Sequence, residues 1–273
     1  MARVLVFGGP YKNCNTIFGS VINLNVNLRI PKFDMALALL GVCIIAIFSK
    51  FSPELVLRFL IITGFTLLIE YLAWRVRKVP NFFPSAGFVT AFIVFLLSEP
   101  STPIYLVLLA PLFAVLQKQF IRPWGNHVFN PAAFGLFVSA FFGNIVSWWG
   151  PNLNVLAFWA IILLCGYISQ IYIHHWKITV PFWLTVILIS FIRSGSITLA
   201  LSQLSVGAFI FFSLVMLPEP MTAPNGEANK YIYGVLIGIL SFVLARVPFS
   251  QDPLIASLLL GNATFEIFEN IKS

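Results

Sequence analysis

The polar residues best placed for chemistry in this chain occur in pairs. Ser85-Ala86-Gly87-Phe88 opens an apolar run that ends in Leu97-Ser98-Glu99-Pro100. Some 120 positions on, Ser205-Val206-Gly207-Ala208 opens another that ends in Leu217-Pro218-Glu219-Pro220. Thr102 and Thr222 follow at the same offset, and then Asn130-Pro131 and Asp252-Pro253 each open a short apolar segment. Asn and Asp cap helix N-termini, and Pro is favoured at the first helical position. Asn130 and Asp252 therefore mark two helix starts, whose free N–H groups and positive dipole ends can face an anion or a carbonyl; simple capping is the plainer alternative. Glu99 and Glu219 read either as carboxylates on an ion path or as solvated loop residues. Glu70 differs, because it lies inside an apolar segment, where an ionisable group faces the protein interior or pairs with a nearby base. Arg58 in the same segment reads as a snorkelling side chain.

The elements that position these residues are membrane helices. The chain has 273 residues, 59% hydrophobic and 9% charged, with a mean hydropathy of +0.95. A soluble domain carries roughly 25% charged residues, so this is an integral membrane protein. The net charge of +7 fits basic loops that orient such a protein, and no nucleic-acid partner is expected. The opening ten residues are too short in their apolar part for a signal peptide. Cys14, Cys43 and Cys165 are far apart, with no CxxC, and read as small buried hydrophobes. His127, His174 and His175 form no metal-ligand pattern, and no P-loop or dinucleotide fingerprint occurs. No catalytic residue and no metal site is expected.

Ten segments are predicted, at 33–49, 53–74, 84–98, 102–119, 129–142, 154–173, 178–192, 196–217, 231–247 and 252–267. Those at 84–98 and 129–142 are short for full crossings. So is 252–267, where Asn262 and Glu266 interrupt the apolar run; some of these are expected to be half-helices ending inside the protein. An N-terminus on the cytoplasmic side puts 12 of the 16 Lys and Arg inside, with only Lys50, Arg193 and Arg246 outside and Arg58 within a segment. Trp74, Trp124, Trp148, Trp149 and Trp176 fall near segment ends, as an interfacial belt requires. Five segments per half is odd, so the second half is inverted, an arrangement that places a substrate or ion site between the halves. The expected organisation is a cytoplasmic N-terminal segment, 1–32, and one transmembrane domain, 33–273, with repeat halves at about 33–142 and 154–267.

Phe129-Asn130-Pro131-Ala132-Ala133-Phe134-Gly135, followed by Pro218-Glu219-Pro220-Met221-Thr222-Ala223-Pro224, resembles the RnfD/NqrB family of membrane subunits of ion-translocating electron-transport complexes. The His175-Trp176-Lys177-Ile178-Thr179-Val180-Pro181 string that enters the seventh segment also fits. The order of motifs runs from about residue 53 to the C-terminus. The resemblance implies an all-α, ten-helix fold with inverted five-helix repeats, related to urea transporters. It also implies a flavin, partner membrane subunits, and a route coupling electron flow to Na⁺ or H⁺ movement in the cytoplasmic membrane. Typical members carry FMN on a threonine between the fifth and sixth helices; residues 143–153 hold no threonine. A non-covalent flavin (FMN or riboflavin) is therefore expected in a short form of the family, with Asn130, Pro131, Glu219, Thr222 and Asp252 as its binding residues. Glu219 stands where the family commonly has aspartate. Glu70 and Glu99 are the ion-pathway candidates. Two further readings use the same scaffold without redox chemistry: a channel or transporter for a small solute or vitamin, and a structural assembly partner.

Overall fold

A computed structural model describes residues 30–50, 52–78, 84–123, 125, 127–172, 175–224, 226–247 and 251–271. The expected N-terminal segment lies outside the described residues up to position 29, as do Cys14, Trp124, His174 and Lys272. Helices make up most of the rest: α1 (Ile30–Ser49), α2 (Pro53–Arg77), α3 (Ser85–Leu97), α4 (Ile104–Phe120), α5 (Pro131–Ala140), α6 (Val155–Gln170), α7 (Trp176–Ser194), α8 (Ile197–Ser205), α9 (Gly207–Met216), α10 (Glu227–Leu244) and α11 (Pro253–Ile271). Each predicted segment is helical. Two of the helices, α8 and α9, share the segment predicted at 196–217.

Local chemistry sets the ends. Ser52 caps α2 by accepting from the Leu55 N–H at 3.2 Å, with Pro53 at the first helical position. The helix stops where Lys78 adopts a left-handed backbone, φ 54°. From Ile161 on, α6 widens into a π-helix, and α9 does so over Phe212–Met216. In the described residues, four helices (α1, α2, α7 and α10) are long and apolar enough to cross a membrane, and the bent pair α8–α9 makes a fifth if counted as one span. The pair bends by 67° at Val206. The bend is built from outside the pair: Asn152 Oδ1 accepts from the Ala208 N–H at 2.9 Å, capping α9 from a distant loop. Gly207 is required there, since a Cβ would come within 1.9 Å of the Pro151 carbonyl oxygen.

The interior belongs to the short helices. Residues Ala91 to Leu97 of α3 and Gly207 to Met216 of α9 are buried throughout, whereas α2, α7 and α10 expose Leu57, Leu60, Leu184, Leu188, Ile232 and Ile239. Apolar residues on the outer face are what lipid requires of a helix bundle. Packing partners recur along the chain. In the first half α1 packs on α3, α2 on α3 and α4, and α4 on α5. In the second half α6 packs on α9, α7 on α8 and α10, and α10 on α11. The halves meet where α1 packs on α6 and α5 on α11.

The last helix, α11, covers the segment predicted at 252–267. It runs 19 residues without interruption, because its polar Asn262 is fully employed. The Asn262 Oδ1 accepts from the Tyr233 hydroxyl at 3.2 Å, and its Nδ2 donates to the Thr222 carbonyl at 3.3 Å. A polar side chain so satisfied does not break an apolar helix.

Candidate functional site: a polar cleft at one end of the bundle

The two ends of α1 define two ends of the molecule. Lys32 and Met35, near its start, line a cleft; Lys50, just past its end, lines a second pocket. A helix of 20 residues separates them by roughly 30 Å. The first cleft is walled by Thr90 and Ile93 of α3, Lys118 of α4, Asn130 and Pro131 at the start of α5, Ser169 of α6, and Glu219 after α9. Its volume is about 80 Å³. Both halves of the sequence contribute.

Asn130 joins the halves with a single side chain. Its Oδ1 accepts from the Ala133 N–H at 3.0 Å, capping α5, while its Nδ2 donates to the Met216 carbonyl at 3.2 Å, at the end of α9. Met216 closes the π-turn, where a wider coil frees carbonyls for such partners. A second freed carbonyl, that of Ser213, accepts from Thr179 Oγ1 at 3.1 Å.

The segment that follows is held on several sides. The His175 ring donates from Nδ1 to the Pro218 carbonyl at 2.6 Å, which fixes the proton on that nitrogen. The Glu219 carbonyl accepts from the Thr222 N–H at 3.2 Å and the Ala223 N–H at 3.0 Å. Thr222 Oγ1 donates to Glu219 Oε2 at 3.4 Å, and Asn262 holds the Thr222 carbonyl. Thr222 is thus buried beside the cleft rather than in its wall. Buried His127 brings Nε2 to within 3.8 Å of Glu219 Oε1, and that nitrogen has no hydrogen-bond partner.

Glu70 lies directly behind the cleft. Its Oε1 accepts from the Lys118 ammonium, and its side chain is 1% exposed. The other oxygen, Oε2, has no partner and is pressed against α3 at Gly87, where a Cβ would approach it to 2.1 Å. Glu70 therefore faces the interior, and its base comes from α4. Arg58 does not snorkel: at 13% side-chain exposure it donates from Nη2 to the Thr102 carbonyl at 2.8 Å and pairs with Glu54.

Asp252 lies at the other end. Its Oδ1 accepts from the Ile255 N–H at 3.0 Å, the same cap that Asn130 forms. Its Oδ2 accepts from Trp148 Nε1 at 2.6 Å, and the Trp148 N–H donates to the Leu97 carbonyl, where α3 ends. Glu99 belongs to this end too, in the pocket with Lys50, Glu54 and Arg58. The Thr102 N–H donates to the Glu99 carbonyl at 3.0 Å, the turn that Glu219 and Thr222 form at the opposite end. The expected binding residues thus divide: Asn130, Pro131 and Glu219 share the cleft, Thr222 adjoins it, and Asp252 is remote. Lys118, His127, His175 and Asn262 were not among the residues expected at a site. Of these only Asn262 carried a signal, as an amide in an apolar run; the others depend on which helices meet.

No group of three or more metal-ligating side chains exists among the described residues. The fold and cleft define a helical integral membrane protein whose polar site is assembled at one end by short buried helices from both halves. Residues 139–272 match the model of the NQR2, RnfD, RnfE family. The match takes in the Pro218–Pro224 segment and begins just after the Phe129–Gly135 motif; it bears out the family resemblance and supports a membrane subunit of an Rnf- or Nqr-type complex.

Proposed function

We propose that this chain handles a non-covalently bound flavin in an RnfD/NqrB-like redox complex, and that the flavin works at the Asn130 end. The observation that carries the reading is the convergence of Asn130, Lys118, His127 and Glu219 on one cleft built from both halves of the sequence. The Lys118 ammonium and the His127 ring suit the carbonyl-bearing edge of an isoalloxazine, and Asn130 keeps a helix N-terminus aimed at the same place. Sites for molecules of flavin size enclose roughly 300–1,000 Å³. At about 80 Å³ the cleft takes only the polar edge, so uptake of the ring requires its walls to part. A flavin supplies one- and two-electron transfer when bound; the chain's part is to hold and orient it and to keep a charge-balanced interior behind it. That balance is the Glu70–Lys118 pair. Glu70 behind the cleft and Glu99 at the opposite pocket are the two carboxylates proposed for coupled Na⁺ or H⁺ movement, with the N-terminus on the cytoplasmic side of the inner membrane and other membrane subunits as partners.

The test is the visible absorption spectrum of the purified protein before and after denaturation. Flavin bands that appear in the filtrate after unfolding support the proposal. Bands that stay with the chain contradict the non-covalent assignment. A colourless protein that takes up no flavin on titration overturns the proposal, and flux of small polar solutes in reconstituted vesicles would then favour a transporter.

A further inference from the structure

Near the Asn130 end, two arginines lack a counter-charge among the described residues. Arg77 closes α2, and its Nη1 donates to Oε1 of buried Gln119 on α4 at 2.7 Å. Arg122 follows three residues later, in the turn after α4, where the Gly125 N–H donates to its carbonyl. The Arg122 Nε is buried and has no hydrogen-bond partner. Carboxylates toward this end that are engaged elsewhere include Glu70 with Lys118, Glu219 with Thr222 and His127, Glu227 with Lys177 and Lys230, and Glu269 with Asn229. Among the described residues none pairs with Arg77 or Arg122. Burial, and then the neighbouring Arg77, lowers the pKa of Arg122, yet a guanidinium stays charged at any physiological pH.

Two like charges linked through neighbouring positions at the end of α4, one with an orphaned buried N–H, are unfavourable unless an anion joins them. The planar fork of a guanidinium matches the oxygens of a phosphate. Position adds to the argument: α2 is long and apolar enough to span a bilayer and ends in Arg75, Arg77 and Lys78, so the pair lies where lipid headgroups are found. Arg75 is occupied differently, stacked over Tyr71 at 5.8 Å, and Lys78 is exposed.

We propose that Arg77 and Arg122 form a binding site for a phosphate group, with Gln119 fixing the Arg77 fork. The site is separate from the cleft, and its failure would leave the flavin proposal untouched. Two sources carry this chemistry: the headgroup of an anionic lipid, and a soluble phosphate.

The experiment compares wild type with the double variant Arg77→Gln, Arg122→Gln and with the control Lys78→Gln. Each is placed in nanodiscs of phosphatidylcholine with or without phosphatidylglycerol, and separately titrated with inorganic phosphate. Bound lipid is counted by native mass spectrometry and stability by thermal unfolding. Expected is retention of phosphatidylglycerol by wild type and Lys78→Gln, with roughly tenfold weaker binding for each guanidinium removed. Stabilisation of wild type by inorganic phosphate, lost in the double variant, also supports the site and assigns it to a soluble anion. Equal binding by wild type and double variant, or equal losses in the double variant and Lys78→Gln, overturns it. If the double variant does not fold, Arg122→Lys decides: it keeps the charge but loses the fork, and unchanged binding there also overturns the proposal.

Discussion

Gly87 and Glu70 make a contact that one methyl group would destroy. A Cβ on residue 87 would meet the buried Glu70 Oε2 at 2.1 Å, and Glu70 cannot retreat without leaving Lys118. Gly87→Ala is expected to destabilise the protein by about 1–3 kcal/mol, as overpacking of a filled interior does. Glu70→Ala should absorb most of that penalty, giving a coupling of roughly 0.5–3 kcal/mol in a double-mutant cycle read by thermal unfolding in detergent. Strictly additive effects would show that the two residues do not touch. The pair itself behaves asymmetrically. Lys118→Met leaves a carboxylate that is 1% exposed without its cation and should cost about 3–5 kcal/mol. The double change Glu70→Gln, Lys118→Met should cost less, and equal losses would contradict a buried ion pair. At this scale the sequence was informative about type and silent about partner. A carboxylate in an apolar segment announced an interior role, but Lys118 is 48 positions away and only the packing of α2 on α4 names it.

Among the elements, α5 and α9 form one unit because Asn130 caps the first and holds the last carbonyl of the second. Asn130→Ala removes both bonds and is expected to lower stability by about 1–2 kcal/mol. Asn130→Asp keeps the cap but turns the Nδ2 donor into an oxygen facing the Met216 carbonyl. Its loss should therefore be distinct, with the helix start kept and the Pro218–Pro224 segment freed. Hydrogen exchange of that segment is the measurement: faster exchange in Asn130→Asp is expected, and unchanged exchange would refute the link. The helix starts at Asn130 and Asp252 were legible because Asn-Pro and Asp-Pro state their conformations locally. The break at Val206 was not. It is imposed by Pro151 and Asn152 from a loop more than fifty residues earlier, and no periodicity within 196–217 records it. That the last helix runs on past Asn262 was legible in the segment at 252–267, but the partners of that amide were not, since they lie on α10 and in the Thr222 turn.

For the whole molecule, the paired motifs fall at the two ends of the bundle. The same Glu-to-Thr turn and the same Asx cap appear once at each end. This separation explains why the sequence pairs Asn130 with Asp252 while only Asn130 reaches the cleft. Matched motifs that lie at opposite ends of the bundle do not make one site. Orientation follows from the basic residues: Lys50 should face outward and Lys230 the cytoplasm. Cysteines placed at these positions should divide accordingly in intact cells, with an impermeant maleimide labelling Lys50→Cys and sparing Lys230→Cys; the reverse pattern would invert the topology. The most direct test of the central claim is flavin binding by variants at the two ends. Flavin fluorescence titrated with purified wild type, Asn130→Ala, Glu219→Gln and Asp252→Asn should show quenching by wild type and Asp252→Asn, and weakened or absent quenching by the two cleft variants. Quenching lost only in Asp252→Asn, or absent in wild type, would contradict a flavin site at the Asn130 end.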